Sequence, residues 1–189
     1  VLRALRQSES VGNIAVVGPR ERLQQVIDEY AALIMGPGSI QLIEQRENMI
    51  DNFKAGFLAV ISDPQERSFE ALRDSEYADE AVLAVPCDTP LLTPWEVDEF
   101  LGASDLSAND YSIGISWEPD LSYYHPTADE LGLKMIYFHV REGLMRHNNL
   151  HLARPLKFKQ LGYIEKMYEW RFQTHLANIV RMAFSLLRV

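Results

Sequence analysis

The stretch Ala81–Thr93, AVLAVPCDTPLLT, decides how this chain folds. Five apolar residues, Ala81 to Val85, meet a proline, then a lone carboxylate at Asp88, then a second proline at Pro90. A short apolar run closed by turn residues reads as a strand buried on both faces of a parallel sheet. A carboxylate just past such a strand stands at the carboxyl edge of the sheet, where open α/β folds receive their ligands. Thr93 is placed to cap a helix over Pro94–Leu101.

Upstream of this strand, helical and strand patterns alternate. Val1–Gln7 reads as the end of an amphipathic helix, and NIAVVG at 13–18 as a buried strand. Leu23, Val26, Ile27 and Tyr30 form one helical face over Glu21–Tyr30. Ala31–Met35 reads as a further short strand, stopped by Gly36-Pro37-Gly38. Arg46, Met49, Ile50, Phe53, Phe57 and Val60 line one stripe, which predicts a long helix from Gln41 to about Ile61. Ser62–Glu80 is polar and reads as a loop with a short helix.

Downstream, YSIGI at 111–115 is a strand, and Ser116–Gly132 is a connection long enough to form a lid or binding loop. Leu133–Val140 reads as a strand, with Glu142-Gly143 turning it into Leu144–Arg146. Ile164, Tyr168, Phe172, Leu176, Ile179, Ala183 and Leu186 lie on one stripe of a long helix over Tyr163–Leu187. Alternation of this kind implies right-handed crossovers. The expectation is one three-layer α/β domain over residues 1–189, with a mostly parallel sheet, an antiparallel hairpin region and a C-terminal helix. That helix would cover the sheet or pair two copies as a homo-oligomer.

The composition bounds the function. A hydrophobic share of 47% and a charged share of 24% are ordinary for a globular chain of 189 residues. A net charge of −9 argues against a nucleic-acid surface, which needs clustered Lys and Arg. It leaves open a nucleotide held through a divalent cation. One cysteine, Cys87, excludes an intrachain disulfide and suits a reducing cytoplasm. There is no bilayer-length apolar stretch and no opening signal peptide. The first residue is not Met and VLRALRQ reads as mid-helix, so an N-terminal piece is expected to be missing.

In this order the residues resemble the molybdenum-cofactor guanylyltransferase-like branch of the nucleotidyltransferases. Their GT-A-like fold is shared with sugar-nucleotide pyrophosphorylases and cytidylyltransferases. The matching pieces are VLRAL at 1–5, NIAVVGP at 13–19, NFKAGF at 52–57, VPCDTPLLTPWEVDEFL at 85–101 and HNNLHLARP at 147–155. CDTPLLT is the most specific of them. The family's glycine-rich phosphate loop, with its basic residue, precedes the first of these pieces, and this chain begins after that point. The resemblance implies a Mg²⁺-dependent enzyme that joins a nucleoside triphosphate to a phosphorylated acceptor and releases pyrophosphate. It implies that Asp88 binds Mg²⁺, a hard cation that takes carboxylate oxygen and keeps several waters. Asn149 is the preferred second metal ligand, with Asn148 in reserve. Gly36, Gly38 and Asn52 are candidates for nucleotide contact, and Arg146 with the loop Ser116–Gly132 for the acceptor.

Each of these residues also has a plainer reading. Asp88 could cap backbone N–H groups of its own turn. Asn148 and Asn149 could form a turn or bulge, since asparagine tolerates the left-handed region. Asn52 could be a surface amide above a helix-packing Gly56, and Arg146 a solvated arginine. His147 and His151 have helical metal spacing, but the helical zinc motif needs Glu where Asn148 stands, so zinc is not expected. Cys87 reads as a small core-edge residue, and Lys157 and Lys159 as a solvated flank. Arg171, Arg181 and Arg188 would suit a membrane-surface helix, although packing is the commoner fate of such a stripe. Two other functions stand beside the transferase. One is glycosyl transfer from a nucleotide-sugar, which on this fold usually uses two acids where only Asp88 is found. The other is a non-catalytic nucleotide-binding or regulatory domain.

Overall fold

Two sheets, rather than one, organise the described residues. The computed structural model describes residues 1–61, 68–162, 164 and 166. Strand β1 (Ile14–Gly18) pairs in parallel with β2 (Ile40–Glu44), from Ile14 opposite Ile40 to Gly18 opposite Glu44. Helices α2 (Arg20–Glu29) and α3 (Met49–Val60) pack on this pair. Gly18 faces Leu23 of α2, whereas Gly56 of α3 lies against Ala15 and Val17. Successive strand residues point to opposite sides, so the two helices cover opposite faces.

The second sheet is antiparallel throughout. Strands β3 (Val82–Ala84), β4 (Tyr111–Trp117) and β5 (Phe138–Val140) all pair with β6 (Gly143–Ala153). The sheet order is β3-β6-β4, with β5 also on β6. The protein is therefore a mixed α/β domain, and its sheets differ from the expected mostly parallel one. Among the described residues, parallel pairing is confined to β1 and β2. The reason is β6: this long strand runs between β3 and β4 and opposite to both.

No strand ladder joins β1 to β3 among the described residues; helices hold the two sheets together instead. Ile50 and Phe57 of α3 enter a cluster with Phe69, Leu72, Leu156 and Leu161, and Val82 of β3 packs against it. Gly56 sits on β1 in the same helix. On α4 (Pro94–Ala103), Val97 is fully buried, and the helix touches β6. Helix α1 (Leu2–Gln7) packs on α4, and the Ser8 hydroxyl just beyond it donates to Asp98 at 2.6 Å. Burial of side chains such as Phe57, Leu72 and Val97 contributes roughly 1.5–3 kcal/mol each.

Several predicted elements shift. Ala31–Leu33 is a 3₁₀ turn, not a strand, and Ile40–Glu44 is a strand rather than the start of a long helix. The helix cannot start before Met49, because the Asn48 side chain caps it by accepting the Asp51 N–H. Gly36 and Gly38 therefore precede a strand instead of following one. Of the strand expected over 133–140, only Phe138–Val140 forms, whereas β6 extends through HNNLHL. Within 116–132 the chain forms α5 (Glu118–Leu121) and a 3₁₀ turn at Ser122–Tyr124. The predicted helix at Tyr163–Leu187 falls outside the described residues except for 164 and 166. No helix among the described residues is long and apolar enough to cross a membrane.

Candidate functional site

The chain leaves β3 at Ala84 and turns through Val85–Leu92 before entering α4. The Thr89 hydroxyl donates to the Pro86 carbonyl at 3.0 Å, and the Leu92 N–H donates to the Thr89 carbonyl at 3.2 Å. Thr93 then makes a reciprocal cap with Glu96. Its hydroxyl accepts the Glu96 N–H at 3.2 Å, and its own N–H donates to the Glu96 carboxylate at 2.8 Å. Asp88 rides on this loop, which is pinned at both ends. It is exposed, and among the described residues its carboxylate has no hydrogen-bond or ion-pair partner. The bonds to neighbouring amides that a turn-capping aspartate would make do not form.

Two neighbours of Asp88 escaped the sequence reading. Leu91 is 88% exposed and Trp95 68% exposed. The signal for Trp95 was available: it precedes the buried Val97 by two positions, roughly 200° around the helix, so it must face away from the core.

Pairing of β3 with β6 brings the asparagines to the same end. Val82, Leu83 and Ala84 lie opposite Ala153, Leu152 and His151. The pairing ends at Ala84 opposite His151, so Asn149 and Asn148 lie on β6 past the end of β3, on the side where the chain turns toward Asp88. Asn149 has φ 66°, the left-handed region. The Asn148 side-chain oxygen accepts the Leu150 N–H at 3.3 Å. Arg146 lies opposite Ser116, two residues along β4 from Gly114, and its guanidinium has no hydrogen-bond or ion-pair partner among the described residues.

Gly36, Gly38 and Asn52 belong to the other sheet and are engaged locally. The Arg6 guanidinium donates to the carbonyls of Ile34, Gly36, Pro37 and Gly38. A Cβ at Gly36 would overlap the Arg6 carbonyl, and one at Gly38, where φ is 75°, would overlap the Gly12 carbonyl. These glycines thus permit close approach of backbone to backbone. The Asn52 carboxamide closes the loop ahead of α3, accepting the Arg46 N–H at 2.5 Å and donating to the Arg46 carbonyl at 3.4 Å.

The two histidines of β6 have aromatic partners. His147 stacks on Phe138 at 5.0 Å, and Nδ1 of His151 lies 2.6 Å from the Tyr111 hydroxyl. Burial raises the Tyr111 phenol above its ordinary value. Burial, and then the charge of His147, lowers the His151 imidazole. Both shifts favour a protonated phenol donating to a neutral imidazole. Cys87 is exposed, and Lys157 pairs with Asp79 at 3.1 Å.

Among the described residues, no group of three or more His, Cys, Asp or Glu side chains could together hold a metal ion. Past the end of β3, the turn carries the free carboxylate of Asp88, and β6 carries the carboxamides of Asn148 and Asn149. No family model, no curated protein and no solved structure matches this chain.

Proposed function

We propose that the chain acts as a Mg²⁺-dependent nucleotidyltransferase that couples a nucleoside triphosphate to a phosphorylated acceptor. The observation that carries this reading is Asp88, an exposed carboxylate without a partner among the described residues, on the turn that follows β3. An uncommitted carboxylate open to water fits a hard cation that keeps most of its hydration shell. A Mg²⁺ ion held there would supply charge neutralisation for the phosphate under attack.

Asp88 would fix the cation against the triphosphate, and Asn149 would offer a second oxygen. Arg146, whose guanidinium has no partner among the described residues, would grip the acceptor phosphate through its planar fork. An acceptor phosphate oxygen then forms the new bond to the α-phosphorus, the α–β anhydride bond breaks, and pyrophosphate leaves. Such a phosphate is already ionised at neutral pH, so the step needs positioning and charge neutralisation rather than a general base. The internal bonds of Gly36, Gly38 and Asn52 support a scaffolding role for them over nucleotide contact.

A thermal-shift panel of nucleoside triphosphates, with and without Mg²⁺, tests this on wild type and Asp88→Ala. A ligand at one hundred times its Kd adds about 2.7 kcal/mol to native-state stability. One triphosphate should raise the melting temperature of the wild type only when Mg²⁺ is present, and Asp88→Ala should abolish that rise. Equal shifts in the two proteins would remove Asp88 from the site. Stronger stabilisation by a nucleotide-sugar than by any triphosphate would favour glycosyl transfer instead.

A further inference from the structure

The pairing of β4 with β6 is interrupted at one point. From Ile113 to Ile115 is two residues on β4, while their partners His151 and His147 are four apart on β6. Asn148, Asn149 and Leu150 therefore stand against Gly114 alone, a wide bulge in β6. Bulges re-aim side chains and occur often beside functional sites.

Three features pin this bulge. Gly114 is buried, and a Cβ there would overlap the Asn148 carboxamide, with its Cγ 2.7 Å and its Nδ2 2.9 Å away. Only glycine leaves that cradle open. The cradled carboxamide then accepts the Leu150 N–H at 3.3 Å, and the Leu150 side chain is buried. Held on both sides, Asn149 takes the left-handed conformation at the apex, φ 66°. That conformation is disfavoured for any residue but glycine, asparagine being among the most tolerant. The β3–β6 pairing ends at Ala84 opposite His151, so the apex lies past the end of β3, on the side where the chain turns toward Asp88.

We infer that Gly114 and Asn148 are positioning residues, a cradle and its occupant that hold Asn149 toward the cation bound by Asp88. The inference rests on the metal-binding reading of Asp88. Here Asn148 acts through its neighbour rather than as a ligand. Residues that orient a metal ligand typically change metal affinity by 10–100-fold when altered.

The test is the Kd for Mn²⁺ alone, as a spin-active substitute for Mg²⁺, measured by electron paramagnetic resonance of the free ion alongside the melting temperature. Gly114→Ala should weaken Mn²⁺ binding by about tenfold or more. Asn149→Gly should weaken it while leaving the melting temperature unchanged or higher, because glycine relieves the left-handed backbone. Asn149→Asp should tighten binding, and adding Gly114→Ala should cancel that gain. Should Gly114→Ala fail to fold, the two Asn149 variants still decide. If Asp88→Ala loses Mn²⁺ while Gly114→Ala binds it like the wild type, the cradle has only a structural role and the inference falls, with the metal site intact. If neither Asn149 variant changes the Kd, Asn149 does not face the ion and the inference again falls. A wild type that binds no Mn²⁺, or an Asp88→Ala variant that binds it equally, overturns the metal site and the inference together.

Discussion

Arg6 is a buried guanidinium with no carboxylate beside it among the described residues. Backbone carbonyls solvate it instead: Nε donates to Ile34 at 3.0 Å, and the terminal nitrogens donate to Gly36, Pro37 and Gly38. One side chain of α1 thereby shapes the approach to β2. Such a role is invisible in sequence, because every residue carries a carbonyl and nothing marks the four that will converge. Truncation would strand those carbonyls in a partly buried loop. Arg6→Ala should lose about 2–4 kcal/mol in urea unfolding, and Arg6→Lys should recover less than half, since an ammonium lacks the planar fork. A loss under about 0.5 kcal/mol would mean that water serves the loop equally well. Asp98 gives a pH-dependent counterpart. The Ser8 hydroxyl first, and then the Glu9 and Ser10 amides, hold its carboxyl below the ordinary 3.8 against an opposing effect of burial. The unfolded chain therefore takes up the proton first. The stability from this site is present above pH 3.8 and is lost as pH falls through the folded value. The gap in melting temperature between wild type and Asp98→Asn should narrow from pH 5 to pH 2. A gap independent of pH would contradict the assignment.

At the scale of elements, legibility depended on how local the signal was. Helix α4 was readable because its cap is a four-residue motif: Thr93, Pro94 and Glu96 announce a start that no distant contact can alter. Thr93→Ala should cost about 1 kcal/mol of unfolding free energy and Thr93→Ser close to nothing. Equal losses in both variants would show that the threonine methyl, not its hydroxyl, matters. Strand β1 was readable from its apolar run and glycine stop. Strand β2 was not, because the stripe from Met49 to Val60 is strong enough to draw the preceding residues into one helix. What decides Ile40–Glu44 is pairing with β1, a contact 26 residues away in register. The β6 bulge was hidden for the same reason. An Asn-Asn pair predicts a turn or bulge, but only the partner strand shows that Gly114 is what the bulge fits.

At the scale of the molecule, the α/β class was legible and the sheet direction was not. Alternating helix and strand patterns do not say which strands become neighbours, and a β-strand pattern carries no mark of direction. The long strand β6 entered the second sheet between β3 and β4 and made it antiparallel. That strand also gives the candidate site its second wall, by carrying Asn148 and Asn149 to the end where β3 releases the chain toward Asp88. The residues proposed to meet there, Asp88, Asn148 and Asn149, are ones that the sequence pattern also singles out. Gly36, Gly38 and Asn52 were grouped with it because sequence order could not show that Arg6 and Arg46 already engage them. The central claim is that Asp88 is a cation ligand, and the location of a bound ion tests it most directly. Isotope-labelled protein titrated with Mn²⁺ should lose amide signals around Cys87, Asp88 and Thr89 and around Asn148 and Asn149, and Asp88→Ala should keep them. Broadening confined to another acidic surface, such as Asp28 and Glu29 on α2, with the Asp88 loop still sharp, would contradict the account.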